Sequence, residues 1–192
     1  MSTYSRKKFA IVINSPVVLG FAALCAVALV VNILTGGRSN TLLFSVYRSS
    51  LANPFTYIRF FGHVVGHSGV SHLVNNMMFI LVIGPMLEEK YGSHDIAWVI
   101  VITALVTGIV HFILFPGVAL MGASGVVFAF ILLASMTGFR DHEIPLTFIL
   151  VALLYLGQQV YEGLFVADNV SQLTHILGGC VGAVVGFRIG RR

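Results

Sequence analysis

The stretch HILGGCVGAVVGFRIG, residues 175–190, carries a glycine at every fourth position after its first turn. These glycines are Gly178, Gly182, Gly186 and Gly190. Residues four apart lie on one face of a helix, so the glycines form a stripe on which a second helix backbone can pack closely. His175 precedes Gly178 by three residues and projects from the same stripe. The stretch therefore predicts an apolar helix with a close helical neighbour and one polar group between them.

The composition of the chain is that of a membrane protein. Of its 192 residues, 57% are hydrophobic and 9% are charged, whereas soluble domains carry about 25% charged residues. Most of the surface is therefore expected to face lipid, and six apolar segments approach the length of a bilayer span. These segments are residues 16–35, 70–87, 96–115, 124–138, 145–162 and 170–188. The predicted fold class is all-α, a polytopic bundle of six transmembrane helices.

The segments between these helices complete the predicted organisation of a single membrane domain, residues 1–192. Residues 1–14 form the cytoplasmic N-terminus, and residues 36–69 form a polar and aromatic outer loop that lies in the membrane interface. Residues 116–123 are expected to lead into helix four, and residues 163–169 to form an outer cap loop. No segment remains for an additional soluble domain, so the function is expected to reside in the membrane part.

The basic residues predict the orientation of the chain. With a cytoplasmic N-terminus, eight of the 11 basic residues lie on the inner side, as the positive-inside rule favours. The eight are Arg6, Lys7, Lys8, Lys90, Arg140, Arg188, Arg191 and Arg192. Both termini are then cytoplasmic, and predicted helices two, four and six all begin at the outer face.

The first turns of these three helices carry polar residues at one depth. Helix two begins with GVSHLVNN, helix four with GASG and helix six with QLTHILGG. Polar groups inside a membrane indicate a functional site by default, and here His72, Asn76, Ser124 and His175 share one layer. If the glycine stripe packs on helix four, His175 comes within hydrogen-bonding reach of Ser124. That arrangement suits nucleophilic catalysis, in which a base activates a weak alcohol.

The same layer offers donors for a developing oxyanion. The backbone N–H of Ser124 belongs to the unpaired first turn of its helix, and His72 and Asn76 lie four residues apart on one face of helix two. No carboxylate suits a third catalytic member, because five of the seven acids lie at the cytoplasmic side. Asp168 lies about two turns above His175. A Ser–His dyad is therefore predicted.

These motifs resemble those of the rhomboid family of intramembrane serine proteases, in its six-helix bacterial form. The resemblance covers nearly everything after the first helix. It lies in HxxxN at His72 and Asn76, in GxSG at residues 122–125, and in HxxGxxxG, which begins at His175. Each motif alone is weak, but the three together, in this order and at one depth, are specific.

The resemblance implies a role for each residue of the layer. Ser124 is the nucleophile, His175 is the general base, and His72, Asn76 and the Ser124 amide bind the oxyanion beside Gly122. The implied substrates are single-span membrane proteins in the lipid bilayer, cleaved in or near their transmembrane segments. No cofactor and no metal are expected. Helix five and the following residues 165–172 are expected to act as a gate for substrate.

A second group of residues is expected to support the structure. This group consists of Gly178, Gly182, Phe128, Glu88 and Arg59. Glu88 ends helix two and ties it to neighbouring loops. The chain departs from the usual family pattern in having Ile58 where the family has Trp, and Phe128 where it often has Tyr. The Phe128 ring can pack against the imidazole but cannot donate a hydrogen bond.

The remaining polar residues near the outer face are expected to line a hydrated cavity, since hydrolysis consumes water. They are His63, His67, Ser68, Ser71 and Asn75. A zinc peptidase would instead show His-Glu-x-x-His on a helix. Residues 64–66 are Val-Val-Gly, so a metal site is not expected.

Two other functions share the same polar layer. A transporter or channel would use such groups along an ion path, but the sequence shows no inverted repeat and no pair of broken helices. A rhomboid-like protein that only binds membrane clients would typically lack Ser124 or His175, and both are present. Nucleic-acid binding is not expected, because no basic stripe is interleaved with aromatic residues. The leading interpretation is a protease of the plasma membrane, in a bacterial inner membrane, with its active site open to the outer side.

Overall fold

The computed structural model describes residues 11–138, 143–165 and 169–189. Within these residues the chain forms seven α-helices and one π-helical segment, Asn40–Phe44. The helices are α1 (Pro16–Leu34), α2 (Pro54–Gly62), α3 (Val70–Tyr91), α4 (Ser93–Leu114), α5 (Ser124–Ser135), α6 (Leu146–Phe165) and α7 (Asn169–Ile189). The described part of the chain contains no β-strand, and one isolated antiparallel bridge joins Val46 to Leu120. The prediction of an all-α fold is confirmed.

Each of the six predicted transmembrane helices has a counterpart in α1 or α3–α7, while α2 and the π-helical segment lie within the predicted outer loop. By length and composition, α1, α3 and α4 are able to cross a membrane. Helix α6 ends at Phe165 and α7 begins at Asn169, so the predicted cap loop overlaps both helix ends. Residues 166–168 of that loop lie outside the described residues, as do the N-terminal basic residues 6–8.

Helix α5 is the central helix and is shorter than predicted. It ends at Ser135 instead of residue 138, because the N–H groups of Met136 and Thr137 bond to carbonyls three residues back, at 3.2 and 3.1 Å. The Lys90 ammonium group at the end of α3 donates to the Thr137 carbonyl. A cation at a helix C-terminus satisfies an orphan carbonyl and complements the helix dipole. The end of α5 is therefore determined by its neighbour as well as by its own sequence.

The glycine stripe of α7 packs along α5 in one register. A Cβ at Gly178 would overlap the Gly125 backbone, and a Cβ at Gly182 would overlap the Ala129 backbone. Both pairs are separated by the same number of residues, so the two helices run parallel and in step. Close contact of this kind places the N-terminal half of α7 directly beside the first turn of α5.

The outward face of the bundle is apolar. Large side chains such as Val82 on α3 and Leu154 on α6 are 70% and 75% exposed. A water-soluble monomer rarely exposes contiguous apolar surface on this scale. The chain is accordingly a multi-pass membrane protein whose exposed helix faces contact lipid.

Glu88 holds three helix ends together. Its carboxylate accepts hydrogen bonds from the backbone N–H groups of Val17 and Val18, at 3.0 and 2.9 Å, and from the Ser93 hydroxyl at 2.6 Å. An anion at a helix N-terminus satisfies orphan N–H groups and complements the helix dipole. Glu88 thus ties α3 to the first turns of α1 and α4.

Arg59 holds the outer loop together without the tryptophan usual in the family. Its buried guanidinium donates to the Ser49 hydroxyl at 2.6 Å and lies 4.4 Å from the centre of the Tyr47 ring. Ile58 is 48% exposed and takes no part in this packing. A cation over an aromatic ring is stabilised by the ring quadrupole. In this chain Tyr47, from the same loop, therefore supplies an aromatic contact to the arginine.

Candidate active site

Ser124 is the first residue of α5, and the loop before it is held by the outer loop. The Gly122 N–H donates to the His63 carbonyl at 2.8 Å, and Leu120 pairs with Val46 in the isolated bridge. The first hydrogen bond of α5 runs from the Val127 N–H to the Ala123 carbonyl. The Ser124 N–H precedes that bond, so it belongs to the unpaired donors of the first turn.

The structure brings Ser124 and His175 to the same level of the α5–α7 contact. A Cβ built at Gly125, the residue after Ser124, would meet the Thr174 methyl group at 3.4 Å, and Gly178 overlies the Gly125 backbone. His175 lies between Thr174 and Gly178 on that turn of α7. Its ring centroid is 4.3 Å from that of Phe128, one turn after Ser124, with the planes at 44°. The Phe128 side chain, one turn after Ser124 on α5, thus packs on the imidazole of His175.

Gly122 lies between the two predicted oxyanion donors of α3. A Cβ built at Gly122 would lie 2.7 Å from His72 Nε2 and 3.8 Å from Asn76 Nδ2. The backbone angle φ of Gly122 is +130°, a conformation that side-chain-bearing residues rarely adopt. The position therefore requires glycine for two reasons, and both side chains lie beside the turn that begins two residues before Ser124.

His67 orients Asn76, a role that the sequence analysis missed. Its Nδ1 lies 3.0 Å from the Val65 carbonyl, so this nitrogen is assigned the proton and donates. Its Nε2 then accepts from Asn76 Nδ2 at 3.1 Å. His67 lies in the outer loop, and burial lowers its pKa to about 4, so the ring is neutral at pH 7. No spacing rule links residues nine apart across a turn, which is why the sequence carried no signal for this pair.

Ser68 contacts the other side of His72. Its Oγ is 3.1 Å from His72 Nδ1. If the hydroxyl donates, Nδ1 accepts and the proton resides on Nε2, the atom that faces Gly122. The His67 and His72 rings also meet edge to face, 5.0 Å apart. A Ser68 hydroxyl that donates to Nδ1 therefore sets the tautomer that an oxyanion donor requires, and the His67 ring packs against that imidazole.

The predicted lining of a hydrated cavity is wrong for His63 and His67, because both side chains are fully buried. His63 is fully buried, with Nε2 3.0 Å from the Ala104 carbonyl, while Ser71 and Asn75 lie on exposed positions of α3. An open cavity of about 510 Å³ does lie nearby, and Ser68 is its one lining residue from the predicted set. The other lining residues come from the end of α1, the outer loop and the loop before α5. Helical periodicity could not locate this space, because irregular backbone encloses it.

The described residues contain no group of three His, Cys, Asp or Glu side chains that could hold a metal ion. His63, His67 and His72 bond to backbone carbonyls or to neighbouring side chains instead. The chemistry available at this site is that of a hydroxyl, imidazoles, an amide and backbone donors.

Comparison with known proteins gives one family. A family model of the Rhomboid domain matches residues 54–192. Rhomboid-related protein 2 of Mus musculus is 29% identical over 160 residues, which cover 72% of this chain and 53% of that protein. Rhomboid protease GlpG of Enterobacter sp. (strain 638) is 27% identical over 172 residues, 86% of this chain and 60% of that protein. The chain thus spans little more than half the length of these two curated relatives.

A second bacterial relative, Rhomboid protease GlpG of Haemophilus influenzae, is 26% identical over 132 residues, 67% of this chain and 68% of that protein. The family match includes α2–α7 and therefore His72, Asn76, Ser124 and His175. The Rhomboid domain model matches most of this chain, and the three motifs lie around the first turn of α5. The chain therefore belongs to the rhomboid family.

Proposed function

We propose that this protein is an intramembrane serine protease that hydrolyses peptide bonds in or near the transmembrane segments of single-span membrane proteins. The observation that carries the proposal is the packing of α7 on the first turn of α5. Through this packing, the His175 ring lies 4.3 Å from the Phe128 ring. His175 is then at the same level of the helix pair as Ser124. Two of the relatives described above are named rhomboid proteases, which supports the same chemistry.

The proposed reaction has two halves. In the first, Ser124 Oγ attacks the scissile carbonyl while His175 takes the hydroxyl proton, as in other nucleophile–base pairs. The C–N bond then breaks, the amine leaves with the proton from His175, and an ester of Ser124 remains. In the second half, water attacks the ester with His175 as base, which releases the carboxylate and restores the serine.

Three donors are proposed to stabilise the oxyanion of both tetrahedral intermediates. They are His72 Nε2–H, the Asn76 side-chain amide and the Ser124 backbone N–H. Both side chains approach Gly122, and each is held from behind by a hydrogen bond, His72 from Ser68 and Asn76 from His67. Donors fixed before the reaction need no reorganisation, and removing one typically costs a factor of about 10²–10³ in kcat.

A Ser–His dyad has no carboxylate as a third member, so His175 must be oriented by other contacts. Phe128 packs on the imidazole at 4.3 Å and restricts the tilt of its ring. A tilted aromatic contact of this kind contributes about 0.5–1.5 kcal/mol beyond the area that it buries. This packing is proposed to help hold the imidazole in one orientation.

The proposed substrate must lose helical structure before cleavage. In lipid, every backbone group of a spanning helix is bonded within the helix, so its carbonyls are shielded from a nucleophile. Segments with small or helix-breaking residues near the outer membrane surface should therefore be preferred. The proposed location is the plasma membrane, in a bacterial inner membrane, with both termini cytoplasmic and the site open to the outer side.

The proposal is tested with purified protein in mild detergent and a single-span substrate whose outer segment contains helix-breaking residues. Ser124→Ala and His175→Ala should abolish cleavage, and a chelator should have no effect. Ser135→Ala is the matched control, because Ser135 ends the same helix and its hydroxyl donates to the Leu132 carbonyl of that helix at 2.7 Å. A fluorophosphonate probe should label the wild type and Ser135→Ala but not Ser124→Ala. Cleavage that persists in Ser124→Ala would refute the assignment of the nucleophile, and wild-type protein that neither cleaves nor labels would favour a client-binding protein.

A further inference from the structure

A row of three aromatic rings connects α6 to the proposed base. The Tyr155 ring on α6 lies 4.4 Å from the Phe128 ring, centroid to centroid, with the planes at 34°. Phe128 in turn lies 4.3 Å from the His175 ring. Tyr155 is buried, with 7% of its surface exposed. The imidazole is therefore two ring contacts away from a helix that carries none of the catalytic residues proposed above.

Tyr155 also contacts α7 directly. A Cβ built at Gly179 would lie 3.1 Å from Tyr155 Cε1, so the tyrosine ring rests against the backbone of α7 one turn after His175. Because Gly179 lacks a side chain, it leaves the space that the ring occupies. The ring is thus packed against both helices whose contact forms the proposed dyad.

Phe128 depends on such packing for its position. A phenylalanine ring has no polar atom, so only its neighbours restrict its rotation. Tyr155 and His175 are neighbours of this ring, and a shift of one is transmitted to the other through it. Beside Tyr155 lies an apolar cavity of about 120 Å³, bounded by α5, α6 and α7, into which its ring can move if α6 moves.

We infer that Tyr155 is a positioning residue for His175, acting through Phe128, so that the position of α6 determines the orientation of the catalytic base. This inference rests on the proposed dyad and deepens it. It assigns to α6 an effect on the chemical step, whereas a gate for substrate alone would act on substrate entry. The two effects are separable, because entry changes KM and orientation changes kcat.

The test compares kcat and KM for Tyr155→Leu, Tyr155→Phe, Phe128→Leu and the Tyr155→Leu/Phe128→Leu double variant. Tyr155→Leu should lower kcat about tenfold at nearly unchanged KM, because small errors in the position of a catalytic group are costly. Tyr155→Phe keeps the ring and should retain most of the wild-type kcat. The double variant should be no slower than Phe128→Leu alone, since residues that act through one path are not additive. Leu154→Ala, at an exposed site on the same helix, is the matched control and should match the wild type.

A second variant keeps the inference testable if Tyr155→Leu is not stable. Gly179→Ala places a methyl group 3.1 Å from Tyr155 Cε1 and should displace the ring into the adjacent cavity. It should lower kcat in the wild-type background and have little further effect where Tyr155 is already leucine. Melting temperatures in detergent show whether each variant is folded.

The outcomes separate the inference from the function on which it rests. If wild-type cleavage requires Ser124 and His175, but Tyr155→Leu and Gly179→Ala keep the wild-type kcat, the inference is wrong and the dyad stands. A rise in KM alone, or a loss in Tyr155→Phe equal to that in Tyr155→Leu, also overturns it. If cleavage does not require Ser124, the proposed dyad fails first and the inference fails with it.

Discussion

The sharpest test of the helix packing is Gly178→Ala. A Cβ at this position would lie 2.8 Å from the Gly125 carbonyl carbon and 3.0 Å from its Cα, and the atoms that it meets belong to the backbone of α5. Backbone atoms cannot turn aside as a flexible side chain can. The Gly125 carbonyl oxygen would lie closer to this Cβ than either carbon does. Ordinary van der Waals contact begins at 3.4 Å, so α7 must move away from α5 by roughly an ångström.

The expected size of the effect follows from that shift. Overpacking a close interface costs about 1–3 kcal/mol of stability, whereas Gly→Ala in a helix otherwise contributes about 1 kcal/mol in the opposite direction. A net loss of about 0–2 kcal/mol in the free energy of unfolding is expected. The effect on catalysis should be larger, because a displacement approaching 1 Å between nucleophile and base can cost about 100-fold in rate.

The assay measures fluorophosphonate labelling of Ser124, initial rates of substrate cleavage and thermal unfolding in the same detergent. Gly157→Ala on α6 is the matched control, because a Cβ there meets no atom within 4 Å. The control should keep its activity and be slightly more stable, while Gly178→Ala should stay folded and lose labelling and cleavage. If Gly178→Ala retained both activities at the level of Gly157→Ala, the close register of α5 and α7 would be refuted as the basis of the site.

Three further predictions follow from single contacts. Glu88→Gln leaves one acceptor oxygen for the N–H groups of Val17 and Val18, so the free energy of unfolding should fall by about 1.5–3 kcal/mol. Chemical unfolding in detergent measures this loss. An unchanged unfolding midpoint would exclude the contact of Glu88 with α1 as a source of stability. The pKa of His67 is about 4 in the fold and 6.5 ordinarily, so the unfolded chain takes up a proton that the fold excludes, and stability should decline as pH falls from about 6.5 towards 4. Melting temperatures at pH 7.5 and pH 5 test this, and the decline should be shallower in His67→Gln. Gly122→Ala places a methyl group 2.7 Å from His72 Nε2 and should lower kcat about 100-fold or more, whereas a variant with normal kcat would remove this turn from the oxyanion site.

The sequence indicated most of the helices because each apolar segment inserts into lipid according to its own length and hydrophobicity. Segment length and hydrophobicity decide whether a helix can span a membrane, and these are local properties. The glycine spacing in residues 175–190 likewise anticipated a close contact, since the absence of side chains on one face is local too. The end of α5 was predicted less well, because Lys90 from another helix caps it.

For the site, the sequence could predict which chemical groups are present and that they lie at one depth, but not which residues hold them in place. Ser124, His175, His72 and Asn76 stand at helix starts that the topology places on one side, so their common level follows from the sequence. The residues that hold them in place do not follow from any periodicity. His67 bonds Asn76 across a turn, and Tyr155 reaches Phe128 from a different helix.

By itself, then, the sequence determined that this protein is a helical membrane protein, which polar groups share one layer, and which face of α7 could approach another backbone. Only the tertiary structure decided which side chains support those groups, where the cavity beside Ser68 lies and which ring packs against the imidazole. The physical reason is that insertion into lipid depends on each segment separately. The partner of a buried polar or aromatic side chain depends instead on how two helices cross, and that is a property of the pair.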